Sequence, residues 1–269
     1  MNAGPLRDAL TLVAGLGTGV MSGIFGVGGA VLSTPAIRAL GCSAALAVGT
    51  TLPSILPGAV TGFLRYRPQQ LIDWRVVRRT VPAGALAAVG GSVLAHVLPG
   101  GGHPLMILTA VLLLVSSVSL IRQRDRDAAV PLDATAARTA RRSRERWAAV
   151  TGIVAGGLSG LLGIGGGVVM VPLFRAHVGL GMRRAIATSL VCVGLLAVPG
   201  TITHAVNRDI DWRYALWLTV GVVPGARLGA ALALRTGERR LRLLFGWFLL
   251  AIAVYYGARE LTALIDGGA

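Results

Sequence analysis

Residues 19–37 read GVMSGIFGVGGAVLSTPAI, and residues 156–174 read GGLSGLLGIGGGVVMVPLF. The two stretches start 137 positions apart and carry glycines, a serine and a proline in the same order. Each glycine run stands inside an apolar segment, where clustered glycines weaken an α-helix and add no side-chain packing. The repeated pattern therefore indicates two helices that each break at their glycines.

The composition around these stretches is typical of an integral membrane protein. Of the 269 residues, 54% are hydrophobic and 14% are charged, and the mean hydropathy is +0.71. The apolar residues fall in long blocks, and about 20 residues of helix cross the hydrocarbon core. The sequence lacks β-barrel alternation, and a helix satisfies its own backbone hydrogen bonds in lipid. We therefore predict an all-α integral membrane protein, a polytopic helical bundle.

The two halves of the chain match beyond the glycine stretches. Thr50-Thr51-Leu52 corresponds to Thr188-Ser189-Leu190, and Ile72-Asp73-Trp74 corresponds to Ile210-Asp211-Trp212, at an offset of 138. Self-similarity of this kind indicates internal repeats. We predict a first transmembrane repeat over 1–121, a basic linker over 122–146 and a second transmembrane repeat over 147–269.

The distribution of arginines predicts the topology. Each repeat divides into a long segment that ends at the glycines, a short segment and three further helices, and this odd number turns the second repeat upside down. If the linker is cytoplasmic, the other arginine-rich loops also become cytoplasmic, as the positive-inside rule requires. We predict inverted repeats with eight to ten transmembrane or re-entrant segments, a multi-pass position in the plasma membrane and both termini outside. The arginines that decide this are Arg65, Arg67, Arg75, Arg78, Arg79, Arg175, Arg183, Arg184, Arg235, Arg239, Arg240 and Arg242.

The net charge of +15, carried by arginine without any lysine, does not indicate nucleic-acid binding, because the arginines stand between apolar blocks. The expected partners are the lipid bilayer and a small anion. The histidines show no metal-ligand spacing, so neither a metal nor another cofactor is predicted. Cys42 and Cys192 are isolated and are expected to be packing residues. The sequence leaves the oligomeric state open, a homo-oligomer included.

The glycine breaks are the leading candidate for a substrate site. A short helix that starts at such a break presents free N–H groups and the positive end of its dipole, which attract anions. Two inverted copies would bring the breaks together near the midplane. The alternative is that the small residues only allow close helix packing. The candidate substrate-binding glycines are Gly26, Gly28, Gly29, Gly163, Gly165 and Gly166.

Four further side chains are candidates for the transport pathway. Thr51 and Ser189 occupy paired positions, where their hydroxyls line a cavity or simply bond the preceding turn. Arg227 lies inside an apolar segment, where it coordinates an anion or extends its side chain to the interface. His204 is a candidate proton relay or a structural histidine, and its repeat counterpart is Tyr66.

Asp73 and Asp211 precede Trp74 and Trp212, a pattern that predicts helix N-caps with interfacial aromatic anchors.

The doubled GxxGxGG…P pattern, the Asp-Trp pairs and Pro224-Gly225-Ala226 followed by Gly229 resemble the sulfite exporter TauE/SafE family of membrane transporters. The resemblance covers almost the whole chain. It implies a proton- or ion-coupled carrier, expected to be an exporter, of small and often sulfur-containing anions such as sulfite or organosulfonates. The first repeat departs from the pattern, since Leu86-Ala87-Ala88 stands where the second has Pro224-Gly225-Ala226.

Other function classes are weaker or remain open. A membrane enzyme needs a nucleophile with a base or paired carboxylates, and the apolar segments contain almost no acidic residues. No catalytic residue is therefore predicted. An anion channel or a structural membrane protein without active coupling is the alternative to a carrier.

Overall fold

The computed structural model describes residues 4–42, 44–97, 103–122, 134–162 and 166–266. Over these ranges the chain forms ten α-helices and no β-strand, which confirms the all-α prediction. A 3₁₀ turn, Arg67–Gln69, follows the third helix, and a π-helical turn, Phe174–Val178, follows the seventh. The helices are α1 (Pro5–Phe25), α2 (Ala30–Ala39), α3 (Ala44–Tyr66), α4 (Trp74–Val97), α5 (His103–Arg122), α6 (Ala134–Leu162), α7 (Gly167–Leu173), α8 (Met182–Val206), α9 (Trp212–Arg235) and α10 (Glu238–Asp266).

Length and hydropathy together single out candidate membrane-crossing helices. Within the described ranges, four stretches are long and apolar enough to cross a membrane: Pro5–Phe25, Leu46–Gln69, Met182–Val206 and Trp212–Arg235. By contrast, α2 has 10 residues and α7 has 7. At 1.5 Å per residue, α2 is about 15 Å long, roughly half of the hydrocarbon thickness. Neither short helix can cross the bilayer alone.

The ten helices of the described ranges fall five on each side of residues 123–133, α1 to α5 before them and α6 to α10 after them. The second part of the predicted linker over 122–146 is helical, because α6 begins at Ala134. Alanine and arginine are strong helix formers, so this polar segment continues the apolar helix that follows it. Residues 123–133 lie outside the described ranges.

The longest helix contacts join the two halves. α1 packs along α9, and α4 packs along α6. Both pairs run parallel and approach closely at small residues: Gly19 faces Val222 and Ala226, and Gly84 faces Gly152. In addition, α3 packs on α8 and α5 packs on α10. Each of these contacts therefore pairs a helix of one half with a helix of the other. If α1 to α5 are matched in order with α6 to α10, the α1–α9 contact corresponds to the α6–α4 contact, and the other two contacts each correspond to themselves.

Aspartate caps begin α4 and α9, as the sequence predicts. Asp73 Oδ1 accepts hydrogen bonds from the backbone N–H groups of Arg75 and Val76 at 3.1 and 3.3 Å. Asp211 Oδ1 accepts the equivalent bonds from Arg213 and Tyr214 at 3.0 and 3.3 Å. These bonds satisfy donors that a helix start otherwise leaves unpaired. The next residues, Trp74 and Trp212, are 52% and 61% exposed, and their role as interfacial anchors stays a prediction.

Candidate functional site

The first glycine run ends α1 and starts α2, which confirms the predicted helix break. α1 ends at Phe25, and Gly26 adopts a left-handed conformation with φ 69° and ψ 23°. Gly28 and Gly29 also have positive φ values, 76° and 82°. Side chains are strained in this region, so three nearly consecutive positions of this kind require glycine. α2 then begins at Ala30.

The second glycine run also separates a long helix from a short one. α6 ends at Leu162 and α7 begins at Gly167. Gly166 precedes α7, and its carbonyl accepts hydrogen bonds from Val169 N and Met170 N at 3.2 and 3.0 Å. Gly163 and Gly165 lie outside the described residues, so their part in a site stays a prediction.

The two breaks touch each other in the interior. A Cβ atom built on Gly167 would lie 2.7 Å from the Gly26 carbonyl oxygen and 2.7 Å from the Cα of Val27. Val27 is 1% exposed. A Cβ on Gly26 would in turn collide with the backbone carbonyl of Ile186 in α8. The breaks and α8 therefore form one buried contact in which no side chain separates the main chains.

Three carbonyls at the end of α1 each accept one hydrogen bond, two from hydroxyls and one from a backbone N–H. Ser189 Oγ donates to the Gly26 carbonyl at 2.9 Å, and Tyr66 Oη donates to the Gly23 carbonyl at 2.6 Å. Gly26 N donates to Ser22 O at 2.8 Å. The last carbonyls of a helix have no partner within it, and an unpaired one is costly in lipid. These three bonds stabilise the broken end of α1.

Ser189 and Thr51, predicted as a pair, have different contacts. The Ser189 hydroxyl lies directly on the first break. Thr51 Oγ1 donates to the Val48 carbonyl at 2.9 Å within its own helix and lies 3.3 Å from Thr34 Oγ1 of α2. Both residues are fully buried. The structure thus brings Ser189 to the break and Thr51 to the short helix that follows it.

Tyr66 is the residue at this site that sequence analysis missed. It is fully buried, although it lies at the last position of α3. The available signal was its correspondence with His204, which marks a polar position in both repeats. That correspondence alone could not show that the phenol reaches Gly23, 43 positions earlier in the chain.

His204 lies far from the breaks. Its Nδ1 is 3.6 Å from Asp209 Oδ2, and its side chain is 26% exposed. Ser189 and His204 are 15 residues apart on α8, which corresponds to about 22 Å along the helix. The structure therefore places His204 at one end of the bundle, beside the turn that leads into α9.

Arg227 is exposed on α9, whereas its neighbour Ala226 is fully buried against α1. A Cβ on Gly19 would lie 2.9 Å from Ala226 N, so this part of α9 is level with the second half of α1. The structure does not bring the guanidinium of Arg227 into the contact between the breaks.

The sequence as a whole matches a known family. The sulfite exporter TauE/SafE family matches residues 11–256. A probable membrane transporter protein of Xylella fastidiosa (strain 9a5c) is 28% identical over 260 residues, which cover 95% of this chain and 97% of that protein. The probable membrane transporter protein YunE of Bacillus subtilis is 25% identical, over 83% and 87% of the two chains.

A further relative is similar over most of both chains. The probable membrane transporter protein MJ0441 of Methanocaldococcus jannaschii is 21% identical over 89% of this chain and 91% of that protein. No solved structure matches significantly. The family match covers both glycine breaks, Ser189 and Tyr66. The chain therefore belongs to the sulfite exporter TauE/SafE family of membrane proteins.

Proposed function

We propose that the protein is a secondary transporter that exports small anions, with sulfite and organosulfonates as the substrate class, and that protons or another ion drive the export. Family membership and the transporter names of the relatives support membrane transport. The family description supports a sulfur oxyanion.

The contact between the two helix breaks is the observation that carries this proposal. Gly26 and Val27 lie against Gly167 deep inside the bundle. α2 and α7 both begin at these breaks. The first N–H groups of a helix lack intrahelical partners, and the helix dipole is positive there. We infer that an anion binds where the two short helices start, and that the glycines permit the main chain to approach it.

An inverted repeat is supported by the directions of equivalent helices. α3 ends at Tyr66 and α4 begins shortly afterwards at Trp74. The N–H of Asp73 donates to Thr188 Oγ1, near the start of α8. The end of α3 is thus close to the start of α8, although α3 and α8 are equivalent helices. Opposite directions of this kind are expected when one repeat is inverted, as in many secondary transporters.

The grouping of charged loops supports the proposed orientation. Arg144 Nε donates to the Val178 carbonyl at 2.8 Å, and Arg183 Nη2 donates to the Thr236 carbonyl at 2.8 Å. These contacts bring together segments that the arginine count assigns to the cytoplasm. We propose that this end, with the linker, faces the cytoplasm of a plasma-membrane protein and that both termini lie outside.

Flux measurements in proteoliposomes test the proposed transport. Labelled sulfite, thiosulfate, sulfate and an organosulfonate are followed with and without a pH gradient. We expect saturable flux of at least one sulfur oxyanion, accelerated by the gradient, and counterflow when unlabelled anion is placed on the opposite side. Flux without saturation or counterflow would instead identify an anion channel.

Two serine variants test the site. Ser189→Ala removes the hydroxyl that bonds the Gly26 carbonyl at 2.9 Å. Ser117→Ala is the matched control, because this buried hydroxyl bonds the Gly246 carbonyl of α10 at 2.8 Å, away from the breaks. We expect Ser189→Ala to weaken apparent anion affinity about tenfold, as loss of about 1.4 kcal/mol would. Equal affinities in the two variants would contradict the proposed site.

Further variants separate the other candidate residues. Gly28→Leu introduces a side chain where Val193 already fills the space, so we expect transport to be lost. Arg227→Gln decides between anion coordination and extension to the interface. Loss of affinity would assign the exposed face of α9 to the pathway, and unchanged transport would exclude Arg227 from it.

A further inference from the structure

A basic groove lies between the first turns of α4 and the neighbouring part of α6. It consists of two adjoining cavities of about 420 and 360 Å³ that share Arg79 and Glu145. Gly91 of α4 faces Gly157 and Leu161 near the end of α6. Arg79 precedes Gly91 by 12 residues, about 18 Å along the helix. The groove is therefore separate from the glycine breaks. Its charged residues are Arg75, Arg78, Arg79, Arg142, Glu145 and Arg146.

The groove has an excess of positive charge. Five arginines and one glutamate give a net charge of +4. Glu145 Oε2 pairs with Arg79 Nη2 at 3.1 Å. The nearby Asp73 caps α4 and lies 3.9 Å from Arg144 Nη2. Positive side chains at a helix start are opposed by the helix dipole. An anion in the groove would reduce the repulsion between the arginines and their unfavourable interaction with the helix dipole.

The basic groove continues into an apolar surface on both helices. On α6, Val150 and Ile153 follow Arg146 at helical spacing and are 42% and 53% exposed. On α4, Leu86 and Val89 follow Arg79 on the same face and are 78% and 61% exposed. Residues four and seven positions apart share one face of a helix. Each helix therefore presents arginines and then exposed apolar side chains along one stripe.

Aromatic side chains mark the level of the membrane surface beside the groove. Trp74 is 52% exposed and Trp147 is 39% exposed. Tryptophan is enriched at the boundary between the hydrocarbon core and the headgroups. The arginines lie within a few residues of these two tryptophans in the sequence, so we place the groove at headgroup depth.

Close helix packing holds the two sides of the groove together. Thr80 Oγ1 donates to the Ala148 carbonyl at 3.0 Å and is buried. A Cβ on Gly84 would lie 3.1 Å from the Gly152 carbonyl oxygen. The Thr80 bond lies directly beside Arg79, and the Gly84 contact lies one to two turns further along the two helices, so both hold α4 and α6 close together next to the arginines. The arginine positions are therefore preorganised for a ligand.

We propose that this groove binds the phosphate-bearing headgroup of an anionic phospholipid, whose acyl chains lie over the exposed apolar side chains of α4 and α6. Arginine forms bidentate hydrogen bonds with phosphate, and basic pockets between membrane helices on the cytoplasmic side suit anionic headgroups. A small soluble anion would use the arginines but would leave the adjoining apolar stripe without a function.

Lipid-dependent stability and lipid retention test this proposal. The purified full-length protein is placed in nanodiscs of phosphatidylcholine alone or with phosphatidylglycerol, and its thermal unfolding is measured. Native mass spectrometry reports which lipid stays bound in detergent. The double variant R78Q/R146Q removes one arginine from each helix. R239Q/R240Q is the matched control, since both arginines are exposed near the start of α10 and outside the groove.

We expect phosphatidylglycerol to raise the Tm of the parent protein and of R239Q/R240Q, and to be retained by both. We expect R78Q/R146Q to bind phosphatidylglycerol about tenfold more weakly, because each arginine near a membrane surface contributes to binding. Three results would overturn the proposal: equal effects of the two lipids on the parent, equal weakening in the two double variants, or full reproduction of the Tm shift by inorganic phosphate. The parent comparisons remain decisive if R78Q/R146Q does not fold.

Discussion

The Thr50 hydroxyl accepts a hydrogen bond from the backbone N–H of Asp211 at 3.0 Å, although 161 positions separate the two residues. The counterpart bond, in which Asp73 N donates to Thr188 Oγ1, measures 3.1 Å. Each half of the chain thus supplies a threonine to a helix start in the other half, beside an aspartate cap. The two halves are interlocked at two places rather than packed as separate bundles.

Removing either threonine hydroxyl should destabilise the protein by a similar amount. Thr50→Val and Thr188→Val each leave the N–H of an aspartate without its partner, which costs about 1–3 kcal/mol. We expect both variants to unfold at lower temperature, measured by a thermal fluorescence assay in detergent. Thr50→Ser keeps the hydroxyl and should restore most of the stability.

Thr201→Val is the control for this comparison, because its hydroxyl bonds Ala197 O within the same helix. If Thr201→Val lowers the Tm as much as the two interlocking variants do, the cross-repeat bonds are not the source of the stability.

Replacement of Gly26 by alanine should destabilise the protein by more than the strain of a left-handed backbone conformation alone. Gly26→Ala places a Cβ in a left-handed residue and against the Ile186 carbonyl. Gly179 has nearly the same φ, 72°, with nothing within 4 Å of an added Cβ. Gly179→Ala therefore carries only the strain of about 1–2 kcal/mol. We expect Gly26→Ala to lower the Tm further and to abolish anion flux. If the two variants lose the same amount of stability and flux, the contact between Gly26 and α8 does not contribute to the break.

The Tyr66 hydroxyl should support the broken end of α1. Tyr66→Phe removes the 2.6 Å bond to the Gly23 carbonyl and leaves a buried acceptor unpaired, at a cost of about 1–3 kcal/mol. We expect a lower Tm and slower anion flux, because the break loses its fixed geometry. Ser117→Ala should lower the Tm without slowing flux. A Tyr66→Phe protein with parental stability and flux would show that this bond is dispensable.

Cys42 should react slowly with alkylating reagents at neutral pH. The thiol lies between α2 and α3 and is 8% exposed. Burial raises its pKa, the carboxylate of Asp211 raises it further, and the guanidinium of Arg7 lowers it. A raised pKa reduces the thiolate fraction at neutral pH, and the thiolate is the reactive form. In a Cys192→Ala variant, Cys42 is the cysteine that remains. Its labelling rate should keep increasing with pH above the pH at which an ordinary thiol is already fully ionised.

Two charge variants give opposite shifts in this labelling assay. Asp211→Asn keeps a capping side chain and should speed labelling at neutral pH, whereas Arg7→Gln should slow it. A membrane-impermeant reagent added to intact cells should reach Cys42 if this end faces outward. Labelling only after permeabilisation would reverse the proposed orientation.

Local properties of the chain were predictable from the sequence. The long apolar blocks predicted an all-helical membrane protein, because hydropathy determines whether a segment partitions into lipid. The glycine runs predicted the break between α1 and α2, since positive φ values at Gly26, Gly28 and Gly29 are a property of the residue type. Asp73 and Asp211 predicted two helix starts, because an N-cap bonds only its own first turn.

Contacts between helices were decided by the tertiary structure. Repeat matching paired Thr51 with Ser189 and Tyr66 with His204, yet only Ser189 and Tyr66 reach the end of α1. Arg227 was a candidate because it is a charged residue in the apolar segment that forms α9. The rotation of α9 about its axis nevertheless leaves the Arg227 side chain exposed.

The sequence by itself determined that this chain is a helical membrane protein with two broken helices and related halves. Only the tertiary structure decided that the breaks touch, that hydroxyls from α3 and α8 satisfy the end of α1, and that α4 and α6 form a basic groove. The physical reason is that a break or a cap depends on bonds within one turn. The side chain that contacts a break or a cap comes from a helix more than 40 positions away in the chain. Its identity therefore depends on how that helix is rotated about its axis and packed against its neighbours.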